Sequence, residues 1–575
     1  MNCSKKLQHL FLASAMVLGL NVHAQAQDTI NLEQFSLYHP SISGSYLAGR
    51  GAFEDRENDL AASYFLDALE ADWGNIALLD RAFVALVSAG RIEEAETVAK
   101  QLLSIEPENE LARIAVGVVA LKERRYASAL KSLEGMSKDS LFGITGNVIW
   151  SWAIVEEVDG RAAVENLEPI SQPGFKNFLV FQSALMADLS GNAELADKLY
   201  QQAYEADPFV FRIVEAYARF LGNQGRHDDA KDVIQRYYDR GLSHVNIDTL
   251  AANLAAKKRP GRMADNVQQG AAETLRGLSS ALSREQASDI SIVLMRLASF
   301  LHPKSDLITF SIADLMERAE RYEIANQLYG RVDRKSPLHG QALVRTAENL
   351  QEIGDIGEAI RKLSNLANTM PDNLTAVIAL GDALRRDKRY NEAAKAYDKA
   401  LEMTGGERPI DWHLYYVRGI ANERDGVWEK AESDFLKALE LNPDQPQVLN
   451  YLGYSWVDQE MQLERALEMI EQAVSLRPED GYIVDSLGWA YYRLERFEEA
   501  VETLERAARL SPSDPTINDH LGDAYWQVDR KREAKFQWAI ALELTDEDDE
   551  ELIEEIREKL DGNFSALNRV AELSN

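Results

Sequence analysis

Residues 485–500 read DSLGWAYYRLERFEEA, and thirty-four residues later the chain reads DHLGDAYWQVDRKREA at 519–534. The two stretches carry the same residue at eight of sixteen positions. Each has apolar residues at the spacing of an amphipathic helix, followed by a charged turn and the start of a second helix. The sequence therefore contains two copies of the same predicted helix–turn–helix unit.

The alanine that closes each copy belongs to a series that runs along most of the chain. Its spacing is 33 to 38 residues, apart from one interval of 61 residues between Ala264 and Ala325. A period near 34 residues predicts an array of helical hairpins that stack on their neighbours. The series consists of Ala61, Ala95, Ala129, Ala163, Ala196, Ala230, Ala264, Ala325, Ala359, Ala393, Ala431, Ala466, Ala500 and Ala534.

Small residues and prolines recur in register with these alanines. A glycine, alanine or serine stands twelve residues before the alanine in twelve copies and thirteen residues before it in one copy, at Gly453, while Phe83 is the exception. A small residue on the first helix and an alanine on the second let the two backbones approach closely where they cross. Seven of the fifteen prolines stand twelve residues after the alanine, where they end the second helix.

This pattern resembles the tetratricopeptide repeat (TPR) family. The resemblance implies an all-α solenoid, a right-handed superhelix of about fourteen repeats with one degenerate copy and a C-terminal capping helix. The expected parts are a signal peptide at 1–26, a short lead at 27–41, an N-terminal array at 42–278, a degenerate hairpin or joint at 279–305, a C-terminal array at 306–548, and a capping helix and tail at 549–575.

The interval of 61 residues marks the place where the period fails. Just before it, the run KKRPGR (257–262) is the densest basic run of the chain. Two interpretations remain open: a joint between two solenoid halves with an anion-binding loop, or a solvated turn beside a worn repeat in one continuous superhelix. Near the C-terminus, Leu552, Ile553, Ile556 and Leu560 share one helical face, which predicts a cap over the last hairpin.

The N-terminus has the layout of a cleavable secretory signal. Two lysines, an apolar stretch and the triplet Ala24-Gln25-Ala26 come in that order, so we expect cleavage near Ala26 and export to the periplasm. An apolar helix retained in the mature chain is the alternative. The single cysteine, Cys3, precedes the apolar stretch, whereas a lipoprotein cysteine would follow it. No later run is long and apolar enough to predict a transmembrane helix.

The chain is strongly acidic, with 94 Asp and Glu against 62 Lys and Arg and a net charge of −32. This charge disfavours binding to nucleic acid and to anionic lipid, and it favours basic or neutral partners. It is equally compatible with a role in solubility alone.

Motifs that carry chemistry are nearly lacking from the sequence. It has no phosphate-binding loop, no zinc-protease motif and no nucleophile elbow, and its nine histidines are scattered singly. We therefore expect no enzyme activity, no metal site and no cofactor. The one alternative is a hydrolase that would use Ser128 and Lys131, which form an isolated Ser-x-x-Lys without companion motifs.

The family resemblance implies a binding surface instead. The first helix of each TPR hairpin lines a concave groove, and four positions of that helix face bound peptides. Aromatic rings interleaved with aspartates at these positions suit an extended apolar or basic segment, unless the rings pack between neighbouring hairpins. The residues so placed are Tyr416, Asn450, Tyr454, Tyr482, Asp485, Trp489, Tyr492, Asp519, Asp523 and Trp526.

Residues 412–548 are similar to long envelope TPR proteins of proteobacteria. This similarity implies a non-enzymatic scaffold or adaptor, with an envelope protease or an outer-membrane assembly component as partner. The alternative is a periplasmic holdase chaperone for outer-membrane clients.

Overall fold

The computed structural model describes residues 41–170, 172–282, 288–546 and 549–562. Within these ranges the chain forms thirty α-helices, two 3-10 helices and no strand, so the all-α helical-hairpin prediction is confirmed. The predicted signal peptide with its cleavage site at Ala26, most of the N-terminal lead and the C-terminal tail lie outside the described residues.

The chain divides into two compact units, one ending at Ala112 and one beginning at Arg113. The first unit contains two hairpins, and helix α5 contains the boundary. The helices are α1 (Ile42–Glu54), α2 (Asn58–Ala71), α3 (Ile76–Ala89), α4 (Ile92–Ile105) and α5 (Glu110–Lys122).

The second unit continues with nine helices up to the place where the period fails. They are α6 (Tyr126–Leu133), α7 (Leu141–Glu157), α8 (Gly160–Leu167), α9 (Lys176–Leu189), α10 (Ala193–Ala206), α11 (Phe211–Asn223), α12 (His227–Tyr238), α13 (Val245–Ala255) and α14 (Val267–Leu282).

The remaining helices of the second unit return to regular pairs and end with one single helix. They are α15 (Ser288–Leu301), α16 (Asp306–Arg318), α17 (Tyr322–Tyr329), α18 (His339–Glu352), α19 (Ile356–Thr369), α20 (Leu374–Arg386), α21 (Tyr390–Thr404), α22 (Trp412–Arg424), α23 (Trp428–Leu441), α24 (Pro446–Asp458), α25 (Leu463–Leu476), α26 (Gly481–Arg493), α27 (Phe497–Leu510), α28 (Pro515–Gln527), α29 (Lys531–Leu544) and α30 (Glu550–Asp561).

The repeat alanines lie where the two helices of a hairpin cross. Thirteen of the fourteen are 0% exposed, and each of these thirteen lies on the second helix of its pair. The small residue of the first helix faces the bulky residue four positions after the alanine. A Cβ atom added to Gly488 would stand 2.5 Å from Leu504 Cγ, and one added to Gly522 would stand 2.5 Å from Trp538 Cδ1. Glycine is thus required by close approach of the helices.

The turn inside each hairpin also repeats. Five residues before the alanine, eleven hairpins place one residue in the left-handed backbone region, with φ between 59° and 88°. These residues are Arg56, Gly90, Arg124, Gly191, Gly225, Glu320, Gly354, Lys388, Gly426, Glu495 and Asp529. A left-handed residue ends the first helix and turns the chain into the second. The turn thus stands at the same distance from the repeat alanine in each of these hairpins.

The predicted repeat around Ala264 is wrong. Ala264 is 3% exposed but lies in the loop between α13 and α14, so α13 has no second helix of its own. The reason is local, because Gly261 has φ +75° and its N–H donates to Asn223 Oδ1 at 3.2 Å. The Pro260 carbonyl accepts a hydrogen bond from Arg219 at 2.8 Å. These bonds hold the loop against α11 and displace the next helix to Val267.

The hairpin that follows begins earlier than the predicted residue 279. It consists of α14 and α15, and α14 lies across the first helices of three preceding hairpins, α7, α9 and α11. Trp152 Nε1 on α7 donates to Thr274 Oγ1 on α14 at 3.0 Å. Gly270 permits this packing, since a Cβ there would stand 2.3 Å from the Trp152 ring. Helix α14 therefore occupies the first-helix face of this part of the second unit.

Candidate protein-binding groove

The ten predicted groove residues lie on four first helices, α22, α24, α26 and α28, and their exposure differs widely. We call the surface that they form the C-terminal groove. Tyr482 is 62% exposed. Five others are partly buried: Tyr416, Asn450, Tyr454, Trp489 and Trp526. Four are buried: Asp485, Tyr492, Asp519 and Asp523.

The burial of Asp519 and Asp523 corrects the expectation that they face an open acidic groove. Lys559 of α30 inserts between them, with its Nζ atom 2.7 Å from Asp519 Oδ2 and 3.0 Å from Asp523 Oδ2. The Lys559 side chain is only 1% exposed. Trp538 Nε1 also donates to Asp523 Oδ1 at 2.9 Å. The two carboxylates thus bind the capping helix and are closed to a partner.

The capping helix brings Lys559 to this place through its apolar face. Ile556 is 0% exposed and joins the cluster of Leu521, Ala524 and Trp538, while Leu552 and Leu560 pack at its margin. One helical turn separates Ile556 from Lys559, so the burial of the first side chain directs the second toward α28. The positive charge of Lys559 then compensates the negative charge of Asp519 and Asp523 in a site from which water is largely excluded.

Asp485 is also paired rather than open to the groove. Its two carboxylate oxygens lie 3.0 and 3.1 Å from His520 Nδ1, on the next first helix. Burial opposes the charged imidazolium, but Asp485, together with the nearby Asp519 and Asp523, outweighs burial and raises the pKa of His520. The charges of the three groove aspartates are therefore opposed by those of His520 and Lys559.

Aromatic rings form the part of the C-terminal groove that remains accessible. The Trp489 ring stacks on Tyr492, at 4.8 Å between ring centroids, and on His520, at 4.1 Å. Trp526 packs against Trp538 at 5.5 Å, and Lys531 Nζ lies 5.0 Å from the centre of the Trp526 ring. These neighbours restrain the Trp489 and Trp526 rings, and both side chains remain partly exposed. Rigid aromatic surfaces of this kind are favoured at protein interfaces.

The rings predicted on α22 and α24 are also partly buried. Tyr416 contacts Trp412 at 6.2 Å and Tyr451 at 6.0 Å between ring centroids. Burial and the nearby Asp458 raise the pKa of Tyr454 to about 12, so this hydroxyl stays neutral. Much of the Tyr416 ring is thus covered by the neighbouring hairpin. This agrees with the alternative that the groove rings pack between hairpins.

The buried aspartate pair predicts a pH dependence of stability. Burial, with the adjacent Asp519 charge, raises the pKa of Asp523 to about 7, against 3.8 for an ordinary aspartate. A carboxyl group whose folded pKa is raised stabilises the fold below the unfolded pKa and loses that contribution as the pH rises through the folded value. We expect the free energy of opening of the last hairpin to fall between about pH 4 and pH 7.

The variant Asp523→Asn isolates this effect, because an amide cannot titrate while other groups still do. The difference in this opening free energy between wild type and variant should change over that pH range, as measured by native-state hydrogen exchange of α28. A difference that stays constant across the range would contradict the raised pKa of Asp523.

Sequence reasoning missed three residues that define this site: His520, Trp538 and Lys559. The role of Lys559 could have been predicted from the sequence. Lys559 stands beside the apolar face of the capping helix, and α28 carries two aspartates one helical turn apart that require a cation if they are buried. Nothing in the sequence indicated the roles of His520 and Trp538 at this site, because each fits the ordinary pattern of its helix.

The corresponding face of α7, α9 and α11 is filled by α14. Gln182 Oε1 accepts from Thr274 Oγ1 at 2.7 Å, and Arg212 forms two hydrogen bonds to Glu273, at 3.0 and 2.7 Å. Arg276 binds the same carboxylate, so two guanidinium groups hold Glu273 and lower its pKa despite burial. A peptide cannot lie along this face while α14 occupies it.

Comparison with known proteins agrees with this architecture. The sequence pattern of the tetratricopeptide repeat matches residues 81–136, 344–408 and 378–446, and a second TPR pattern matches 488–529. The protein is a tetratricopeptide repeat protein. The family resemblance read from the sequence is therefore confirmed.

Among its relatives is a TPR repeat-containing protein of Pseudomonas aeruginosa, 29% identical over 153 residues, which are 26% of this chain and 25% of that protein. The human protein O-mannosyl-transferase TMTC1 is 23% identical over 163 residues, 27% of this chain and 18% of that protein. The matches thus span a quarter or less of these two relatives. The crystal structure of yeast Tom70 aligns over 92% of this chain and 98% of that one, with 14% identity and a TM-score of 0.35.

The other features considered in this TPR protein lie apart from the groove. Ser128 and Lys131 are both exposed on α6, one turn apart. In the part of the chain that the structure describes, no cluster of three or more His, Cys, Asp or Glu side chains could hold a metal ion. Of the described helices, none has the length and apolarity required to cross a membrane.

Proposed function

We propose that this TPR protein is a non-enzymatic adaptor of the periplasm that binds an extended segment of a partner protein in its C-terminal groove. The observation that carries the proposal is the exposed ring of Tyr482 beside the partly exposed, packed rings of Trp489 and Trp526 on neighbouring first helices. An envelope protease or an outer-membrane assembly component is the expected partner.

The chemistry of the groove favours an apolar segment over a basic one. Its aspartates are paired with His520 and Lys559, so little unpaired negative charge is left to attract a cation. Aromatic rings bury apolar side chains and limit their dissociation, and the segment's backbone can bind the polar groups between them. No metal or cofactor is required for this function.

Export is part of the proposal and gives a prediction. If residues 1–26 are a cleaved signal, the mature chain begins at Gln27. Mass spectrometry of the protein purified from cells should find this N-terminus, and fractionation should place the protein with the periplasm. A mature chain that still contains the apolar stretch from Leu10 to Leu20 would contradict export by this route.

Chemical cross-linking in intact cells, followed by affinity purification of the full chain, tests the binding function. An adaptor should retain one or a few partners in stoichiometric amounts, whereas a holdase chaperone should retain many in small amounts. The variant Tyr482→Ala removes a ring that is 62% exposed and should weaken partner recovery without lowering helicity. Unchanged recovery with this variant and with Trp489→Ala would reject the C-terminal groove as the binding surface.

A further inference from the structure

Two basic runs that are distant in sequence lie side by side in the fold. The run KKRPGR (257–262) forms the loop after α13, and the run RVDRK (331–335) forms the loop after α17. Pro260 of the first run and Ser336 and Pro337, which follow the second, line one cavity of 220 Å³. The densest basic run of the sequence is therefore part of a larger surface.

A second cavity of 870 Å³ adjoins the first, and Asp306, Ser336 and Pro337 line both. Four cations line the second cavity: Arg296, Lys304, Arg331 and Lys335. Its two carboxylates already accept hydrogen bonds from the backbone. The Asp333 N–H donates to Asp306 Oδ1 at 3.0 Å, and the Lys335 N–H donates to Asp333 Oδ1 at 2.8 Å.

The two runs and the second cavity form what we call the basic junction. Arg262 is excluded because it pairs with Asp188 at 3.3 Å. Eight cations against Asp306 and Asp333 leave a net charge of +6, in a chain whose net charge is −32. The eight are Lys257, Lys258, Arg259, Arg296, Lys304, Arg331, Arg334 and Lys335.

Most of these cations are available to a ligand. Seven of the eight are exposed, Arg296 being partly buried. Within the ranges that the structure describes, none of the seven has a carboxylate oxygen within 4 Å of its charged nitrogen atoms. Burial and the neighbouring Arg331 both lower the pKa of Arg296.

We propose that the basic junction binds an acidic segment of a partner protein. The local charge is complementary to such a segment, and the second cavity, with its four cations, can receive carboxylate side chains. Long polyanions fit less well, because nucleic acid or an anionic membrane also meets the field of the strongly acidic remainder of the chain. This surface is distinct from the C-terminal groove and does not depend on the function proposed for that groove.

Binding of a fluorescent oligoglutamate peptide to the full chain, followed by anisotropy, tests the proposal. Wild type should bind, and added salt should weaken the binding. The double variant Arg259→Glu/Lys335→Glu changes one cation of each run and should weaken binding about tenfold or more. Both side chains are exposed, so helicity and melting temperature should stay unchanged.

The matched control is Arg532→Glu/Lys535→Glu, two exposed cations of α29 with the same change in net charge. This control should leave the affinity for the peptide within about twofold of wild type, because the changed charges lie far from the basic junction and are screened by salt. An equal loss in both double variants would overturn the proposal, and so would failure of the wild type to bind. Tighter binding of duplex DNA or of phosphatidylglycerol vesicles than of the peptide would overturn the assignment to a protein segment.

Discussion

Replacing Lys559 with alanine is expected to lower the free energy of opening of the last hairpin by about 3–5 kcal/mol. The Lys559 side chain is 1% exposed and is the cation that binds Asp519 and Asp523. Its loss leaves the two buried carboxylates without the lysine that balances their charge. The free-energy cost of leaving them uncompensated is larger than the net stabilisation that the intact ion pairs provide. Native-state hydrogen exchange of α28 and α30 measures this energy, because a chain of this length does not unfold in one step.

Two further variants make the Lys559 result specific. Lys535→Ala removes an exposed lysine of α29 and should change the exchange of α28 by less than about 0.5 kcal/mol. Combining Lys559→Met with Asp519→Asn and Asp523→Asn removes all three charges, and it should recover much of the lost stability. A loss in Lys559→Ala no larger than in Lys535→Ala would show that Lys559 is not inserted between the aspartates.

Replacing Gly488 with leucine is expected to destabilise its hairpin by about 2–4 kcal/mol. Already the Cβ atom would stand 2.5 Å from Leu504 Cγ and 3.3 Å from the Leu504 backbone nitrogen. Leu504 is 0% exposed and has no free space to enter, so the two helices must separate. Hydrogen exchange of α26 and α27 reports this loss.

Gly357 provides the matched control on α19. A Cβ atom there has no neighbour within 4 Å, and the position is exposed. Gly357→Leu should therefore leave the protein as stable as wild type or slightly more stable, because leucine favours helix over glycine. If both substitutions had the same small effect, the crossing contact between Gly488 and Leu504 would be refuted.

The sequence was sufficient for the hairpin fold because the crossing contacts depend on residue size. Ala500 and Gly488 stand at fixed positions where only a small side chain fits, so their spacing reports the backbone geometry directly. The same reasoning failed at Ala264. There the spacing of 34 residues continues through a loop, and the hydrogen bonds of Pro260 and Gly261 to α11 decide the conformation.

The candidate site could be predicted only in part. The register placed the ten residues on first helices, but it could not show which of them meet another helix. The burial of Asp519 and Asp523 depends on α30, whose position follows from a tertiary contact of Ile556. Helix α14 likewise fills a face that repeat spacing alone would leave open. In both places a segment outside the regular array determines what remains exposed.

Site-specific photo-cross-linking tests the central claim most directly. A benzoylphenylalanine replaces Tyr482, which is 62% exposed in the C-terminal groove, or Glu498, which is exposed on the second helix α27. Irradiation of cells that produce the full chain should give adducts with one or a few partner proteins from position 482 and none of these from position 498. The same adducts from both positions, or adducts from position 498 alone, would contradict binding in the C-terminal groove.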